Sequence, residues 1–317
     1  MVKIIPESFE IIREEDPLKR IELAGRTCYK SEGKIEEGSA EKFVEMIIKR
    51  GHESVLEHAA IVVFTSEEIY EHILRLERRE FLNLTDGIGK VGPFISGNIH
   101  AWRDLMRDPD YKADPYLWSI LNFIRCEYPI FFRDLPKGTE GWPLDIHHVS
   151  LADDIFKHMS KEDRMYHEYM TIRIICNRGV THEWVRSRRQ SSYSQESTRY
   201  CNYAAGKYGN EITYINYDEY LADPIKDKKD IAEVHALCEK KYNQLIARGN
   251  KPQIARNVLP INLKTEMVIT YPLFQWHYLF KLRTTKFVHP QFRELSLPLL
   301  EAVKKEKPGI FEDIVAE

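Results

Sequence analysis

The apolar and polar positions of the chain alternate between helical and strand-like spacing. Apolar residues three and four positions apart predict a helix over 39–49, with Ser39 as its N-cap, and a long amphipathic helix over 230–248. Short β-branched runs at 59–64 and 170–175 predict buried strands. The same spacing predicts further helices, one capped by Ser66, others at 102–106, 117–132, 180–188 and 263–282, and a last one after Pro290. We therefore expect a single domain that mixes helices and strands.

The composition is that of an ordinary globular protein. Of the 317 residues, 43% are hydrophobic and 30% are charged, and the formal net charge is -3. This balance gives no field that would attract duplex nucleic acid or an anionic membrane, so we expect neither as a partner. The five cysteines include no C-x-x-C pair, which indicates reduced thiols and no metal site. No apolar run approaches the roughly 20 residues of a membrane span, and we expect a cytoplasmic protein.

The densest group of candidate functional residues lies at 182–203, where arginines alternate with hydroxyl, amide and aromatic side chains. Its polar members are Arg186, Arg188, Arg189, Ser191, Ser192, Ser194, Gln195, Ser197, Thr198 and Arg199. Guanidinium groups bind phosphate or carboxylate through paired hydrogen bonds, and hydroxyl groups complete the shell of an oxyanion. A solvated Ser-rich loop has a similar composition, and interleaved basic and aromatic residues also suit single-stranded RNA. The aromatic residues favour an anion site, because they anchor the segment or stack on a planar ring.

A second group is His52, Ser54, Glu57 and His58 in the stretch G-H-E-S-V-L-E-H. Histidines and carboxylates at this spacing could hold a metal, but the order H-E-x-x-H of a zinc helix is missing. The alternative is a polar connection that caps a helix before the strand at 59–64.

Two arginines stand in apolar helical surroundings near the end of the chain, Arg256 in I-A-R-N-V-L-P and Arg283 in F-K-L-R-T. A buried arginine needs an anionic partner. That partner is either a bound anion or a carboxylate such as Glu266 or Glu294.

The stretch 192–200 resembles the second half of the signature of the flavin-dependent thymidylate synthase family. That signature runs R-H-R, a short spacer, a serine, a variable residue, a polar pair, a variable residue and S-x-R-Y. In the first half, this chain has Arg186-Ser187-Arg188, with serine in place of histidine and one extra residue before Ser192. Either Arg188 or Arg189 therefore takes the place of the second motif arginine.

The resemblance keeps the family order through residues 24–58, 170–205 and 250–294. It includes H-x-S-x-x-E-H at 52–58, and R-T-C-Y-K at 26–30, which we interpret as a packing segment. It implies an α+β fold with an antiparallel sheet and long helices, in one domain over 1–317. Residues from about 66 to 168 match nothing in the family core and are interpreted as a mostly helical insertion. The family also implies a homotetramer whose sites are shared between subunits.

The resemblance implies a role for each candidate residue at a matching motif position. Catalytic roles fall to Arg186, Arg188 and Ser197, with Ser197 acting as a ligand because the motif has no adjacent histidine to serve as its base. The substrate-binding set is Glu183, Gln195, Ser197, Arg199, Arg256 and Arg283. The cofactor-binding set is His52, Ser54, Glu57, Arg186, Arg188, Arg189 and His289.

The reaction implied by the resemblance is FAD-dependent reductive methylation of dUMP to dTMP. Methylenetetrahydrofolate is then the one-carbon donor, and NADPH is the reductant. The missing histidine, and Pro272 and Phe274 where the family has asparagine and arginine, keep two alternatives open. One is a diverged C5 methylase or hydroxymethylase of another pyrimidine nucleotide. The other is a non-catalytic homologue that binds a nucleotide or RNA.

Overall fold

The computed structural model describes residues 3–76, 81–87, 92–108, 114–135, 146–150, 156–157, 159–187, 190–205 and 211–316, with 146–150 described as backbone. These residues form twelve α-helices and ten strands. The strands are β1 (Lys3–Ile5), β2 (Ser8–Ile12), β3 (Ala60–Thr65), β4 (Leu82–Thr85), β5 (Phe94–Asn98), β6 (Ile146–Ser150), β7 (Tyr169–Asn177), β8 (Ser192–Gln195), β9 (Thr213–Ile215) and β10 (Lys264–Pro272). The helices are α1 (Pro17–Tyr29), α2 (Ser39–Lys49), α3 (Glu67–Leu74), α4 (Ile99–Arg107), α5 (Pro115–Glu127), α6 (Pro129–Phe132), α7 (Lys161–His167), α8 (Arg178–Trp184), α9 (Lys226–Ala247), α10 (Pro252–Ala255), α11 (Leu273–Arg283) and α12 (Pro290–Glu306).

A four-stranded antiparallel sheet in the order β2-β7-β10-β8 carries the main core. Its two middle strands are mostly buried, and Ile172, Ile174, Met267 and Ile269 are inaccessible to solvent. Apolar side chains of α8, α11 and α12 pack into the same core. Both strands combine apolar residues with buried threonines, so their burial does not require an unbroken apolar run.

A second antiparallel sheet has the order β4-β5-β3-β6. Apolar residues of β3 share a core with α2, α4 and α5, in which Trp102 is fully buried. The predicted helical character of residues 66–168 is confirmed by α3 to α7, but the strands β4, β5 and β6 were not predicted. Asn83, Ser96 and Gly97 lie in β4 and β5 and are poor strand formers, so the local pattern does not indicate a strand.

The predicted helix over 263–282 is wrong in its first half. Residues 264–272 form β10, and α11 begins only at Leu273. β10 pairs with β7 on one side and β8 on the other, and this central position favours its β-branched Thr265, Val268 and Thr270 as a strand. Pro272 is the N-cap of α11, where a residue without an N–H group is tolerated.

Most other predicted elements are confirmed with shifted bounds. Helix α2 spans the predicted 39–49, but its N-cap is Gly38, because the Ser39 hydroxyl donates to Glu22 at 2.8 Å. Ser66 caps α3 as predicted. The helix predicted over 117–132 is divided, since α5 ends before Pro129 and α6 starts there. No helix among the described residues is long and apolar enough to cross a membrane.

Two buried histidines couple the stability of the fold to pH. His58 contacts the Thr270 hydroxyl at 2.8 Å and the Ser194 hydroxyl at 2.9 Å, and His167 likewise bonds to two hydroxyls. Burial lowers the pKa of each imidazole from 6.5 to about 3. The folded protein therefore keeps both rings neutral where the unfolded chain takes up protons.

We expect the free energy of unfolding to fall as the pH is lowered from about 6.5 towards 3, because the two histidines bind protons in the unfolded state but stay neutral in the folded state. Each pKa unit of difference is worth about 1.4 kcal/mol. Urea unfolding between pH 7.5 and 4.5 measures this slope. His58→Gln and His167→Gln should each be less stable at pH 7.5. In each variant the free energy of unfolding should depend less steeply on pH than in the wild type, and in the double variant less steeply still. Variants that keep the full wild-type slope would contradict the assignment.

Candidate functional site

The signature residues leave the central sheet at a fixed point. Gln195 is the last residue of β8, which pairs with β10. Beyond it, the amide N–H of Glu196 donates to the carbonyl of Glu266 at 2.8 Å. The amide N–H of Ser197 donates to the carbonyl of Cys28 at 3.0 Å. Two other segments of the chain therefore hold the turn that carries Ser197.

A buried charged network under this turn holds it further. The Glu196 carboxylate accepts from the Tyr203 hydroxyl at 2.8 Å and from the Lys264 ammonium at 3.0 Å. Lys264 also bonds to Glu266, and Arg178 donates to the Glu196 carbonyl at 2.6 Å. Although burial opposes it, the two carboxylates raise the pKa of Lys264, so the ammonium stays charged. None of these anchors is among the predicted site residues, because an ion pair between distant segments leaves no local motif.

A cavity of about 680 Å³ opens beside the turn, and we call it the signature cavity. Gln195 and Ser197 line it from the signature, and His52 and Ser54 line it from the connection before β3. The other lining residues are Cys28, Tyr29, Gly51, Glu53, Val55, His100, Arg107 and Tyr200. The structure thus brings two residues with predicted substrate roles beside two with predicted flavin roles.

Side chains in the signature cavity offer both hydrogen bonds and aromatic ring surface. The Gln195 amide donates to the hydroxyls of Thr181 and Thr265, each at 3.2 Å, which fixes its orientation. The rings of Tyr29 and Tyr200 lie 5.2 Å apart between centroids, and Tyr200 is 52% exposed. Such a surface can pack against a planar ring of a ligand.

Glu57 lies beside a smaller neighbouring cavity of about 170 Å³. Its carboxylate bonds to His100 at 2.9 Å. This hydrogen bond is the main reason why the pKa of His100 is raised. His100 lines both cavities, so the Glu57–His100 pair stands between them.

Glu183 and His289 line a third cavity of about 370 Å³, together with Asn177, Asn262 and Gln291. The Glu183 carboxylate forms ion pairs with Arg186 and Arg283, each at 2.8 Å. The carboxylate partner of Arg283 is therefore Glu183, and the pairing with Glu266 or Glu294 weighed from the sequence is wrong. Glu266 is engaged by Lys264 and Lys30, and Glu294 accepts from Tyr220.

Arg199 and Arg256 are both exposed, and each is next to Thr198, Arg199 along the chain and Arg256 through a side-chain contact. The Arg256 guanidinium donates to the Thr198 hydroxyl at 3.2 Å, and that of Arg199 lies 5.2 Å from the centre of the Tyr200 ring. Arg256 follows the short helix α10, so the expectation of a buried arginine inside an apolar helix is wrong. Both cations are accessible to an anion next to the signature turn.

Two predicted residues, Arg188 and Arg189, lie outside the described residues. Among the residues that the structure describes, no group of three or more His, Cys, Asp or Glu side chains is placed to hold a metal ion.

Sequence reasoning missed several residues of the signature cavity. Cys28 and Tyr29 belong to the R-T-C-Y-K stretch, which was interpreted as packing, although it resembled the family and could have been assigned to the site. His100 and Arg107 come from α4, inside the proposed insertion, where no motif pointed to a ligand.

Comparison with known proteins bears out the family resemblance. A family model described as "Thymidylate synthase complementing protein" matches residues 10–69 and 140–309. A flavin-dependent thymidylate synthase of Aquifex aeolicus is 20% identical over 309 residues, which cover 90% of this chain and 93% of that protein. A protein of the same name from Pyrococcus abyssi is 28% identical over 201 residues, covering 60% of this chain and 79% of the relative. A protein of the same name from Pyrococcus furiosus is 30% identical over 163 residues, which cover 48% of this chain and 64% of that protein.

The two ion pairs of Glu183 should differ in strength. The Arg283 side chain is 19% exposed and that of Arg186 is 62% exposed, so water screens the second pair more strongly. We expect a double-mutant cycle of Glu183→Gln with Arg283→Met to give a coupling of about 1 kcal/mol or more in urea unfolding. The matched cycle with Arg186→Met should give less than about 0.5 kcal/mol. Equal couplings would contradict the observed difference in burial.

Proposed function

Because the chain belongs to the family of thymidylate synthase complementing proteins, we propose that it catalyses the flavin-dependent reductive methylation of dUMP to dTMP. Methylenetetrahydrofolate would donate the carbon unit, and NADPH would be the reductant. The observation that carries this proposal is the signature cavity, in which Gln195 and Ser197 face the same space as His52 and Ser54. A nucleotide and a cofactor would therefore meet there.

The signature cavity fits a flavin in size and in chemistry. Its volume of about 680 Å³ is within the range usual for cofactor sites. His52 and Ser54 supply polar groups, and Tyr29 and Tyr200 supply ring surface. We assign these residues to FAD. Bound FAD would supply the redox chemistry of the reaction.

The nucleotide would be held through its phosphate and its base by different residues. The exposed Arg199 and Arg256 are both next to Thr198 and would bind the phosphate, since guanidinium groups pair well with phosphate oxygens. Gln195 and Ser197 would orient the nucleotide in the cavity. The Ser197 hydroxyl accepts from the Arg199 amide at 3.3 Å, which suits a ligand held in place rather than a nucleophile.

The thiol in the signature cavity is a poor nucleophile. Burial raises the pKa of Cys28, so it stays protonated at neutral pH. This supports a reaction in which the cofactor, not a cysteine, activates the transfer. All five cysteines are free thiols, which fits the reducing cytoplasm that we propose as the compartment.

Glu183 and His289 line the third cavity rather than the signature cavity, and Arg186 and Arg283 form ion pairs with Glu183. We propose that the protein is a homotetramer and that this cluster completes the signature cavity of another subunit. Arg186 and Arg283 would then stabilise negative charge on the nucleotide of the neighbour. This arrangement would explain why one chain carries the predicted residues in two places.

The test is turnover by the purified protein with FAD, NADPH, methylenetetrahydrofolate and dUMP, with the product identified by mass. We expect dTMP. Ser197→Ala should raise the KM for dUMP about tenfold or more, since a lost hydrogen bond to a charged or polar ligand costs about 1.5 kcal/mol. Ser8→Ala, on the exposed face of β2, is the matched control and should retain wild-type kinetics.

Other outcomes would contradict the proposal in different ways. A hydroxymethylated product, or methylation of a cytosine nucleotide instead of dUMP, would indicate a diverged C5-modifying enzyme. Tight nucleotide binding by a protein that takes up no FAD would indicate a non-catalytic homologue.

A further inference from the structure

Helix α4 lies in a part of the chain that the family model leaves unmatched, between residues 69 and 140. It nevertheless packs against the 3₁₀ segment Glu53–His58, which follows His52 and includes Ser54. His100, Arg103 and Arg107 stand at positions i, i+3 and i+7 of α4 and therefore share one face of the helix. All three contact that segment.

Glu53 is the centre of these contacts. Arg103 donates to its two carboxylate oxygens at 3.0 and 3.1 Å, and Arg107 donates to the same two oxygens at 2.8 and 2.5 Å. Although burial opposes it, hydrogen bonds from Arg107 and Arg103 lower the pKa of Glu53 to about 2. The fully buried Arg103 also pairs with Asp134 at 2.7 and 2.8 Å. The carboxylate is thus ionised and fixed at neutral pH.

His100 and Arg107 also line the signature cavity, in which His52 and Ser54 lie on the 3₁₀ side. Carboxylates outnumber the basic groups on this face, four to three. His100, Arg103 and Arg107 meet the carboxylates of Glu53, Glu57, Asp104 and Asp134. A surface that offers N–H groups without net positive charge suits an uncharged acceptor, such as a ring carbonyl, better than a phosphate.

We propose that α4 is part of the flavin site, with Arg107 and His100 as N–H donors to the ring carbonyls of FAD and Arg103 as a positioning residue that fixes Glu53. The inference rests on the proposed function. It gives the unmatched segment a role that no family motif assigns to it.

The experiment measures FAD binding directly, by flavin fluorescence and by the visible absorption band of bound FAD. Arg107→Met should weaken FAD binding about tenfold and shift the absorption band, because the hydrogen bond to the ring is lost. Arg107→Lys, which keeps the charge and one N–H group, should recover part of both changes. Arg133→Met is the matched control, since Arg133 also pairs with α2 from the unmatched segment but does not line the cavity. It should bind FAD as the wild type does.

Unchanged affinity and band in Arg107→Met would overturn the inference while leaving the proposed function intact. Weaker affinity with an unchanged band would overturn it as well, because Arg107 would then act only through Glu53. A wild-type protein that binds no FAD would overturn the proposed function itself.

Discussion

His58 joins the connection before β3 to the central sheet through two buried hydrogen bonds. One ring nitrogen contacts Thr270 in the middle strand β10, and the other contacts Ser194 in the signature strand β8. A neutral imidazole donates from one nitrogen and accepts at the other, which suits two hydroxyl partners, and burial keeps the ring neutral. This imidazole therefore helps to set the distance between His52 or Ser54 and the signature turn. A second link joins the same two segments, because the Ser192 hydroxyl donates to the Glu57 carbonyl at 2.8 Å.

The charged network below the signature turn has a complementary effect. Glu196 is buried and bonds to Tyr203 and Lys264, so the turn cannot move away from the sheet without exposing unpaired charge. The same turn presents Ser197 to the cavity and Arg199 to solvent. A turn that is held in place and carries an exposed arginine suits an anionic nucleotide, because little conformational entropy is lost when the ligand binds.

The elements with strong local signals were predicted from the sequence. The cap at Ser66, the helix over 39–49 and the buried strand at 170–175 follow from capping chemistry and apolar spacing. The helix predicted over 263–282 failed because the central position of β10 between two strands outweighs helical spacing, and sheet pairing is a property of distant segments.

In the site, too, residues in local motifs were predicted from the sequence, and contacts between distant segments were not. The motif residues Gln195, Ser197, His52 and Ser54 were identified and do lie around one cavity. The carboxylate partner of Arg283 was not identified, because the sequence suggested Glu266 or Glu294 and only folding brings Glu183 to this arginine. Arg107 gave no signal at all, since an arginine on an amphipathic helix usually faces solvent.

The most direct test is a structure of the protein with FAD and dUMP bound. The account predicts that both ligands lie in the signature cavity, with FAD against His52 and Ser54, dUMP against Gln195 and Ser197, and Arg283 supplied by a neighbouring subunit. Ligands bound away from Gln195 and Ser197, or a complete site formed within one chain at the cavity beside Glu183 and His289, would contradict it.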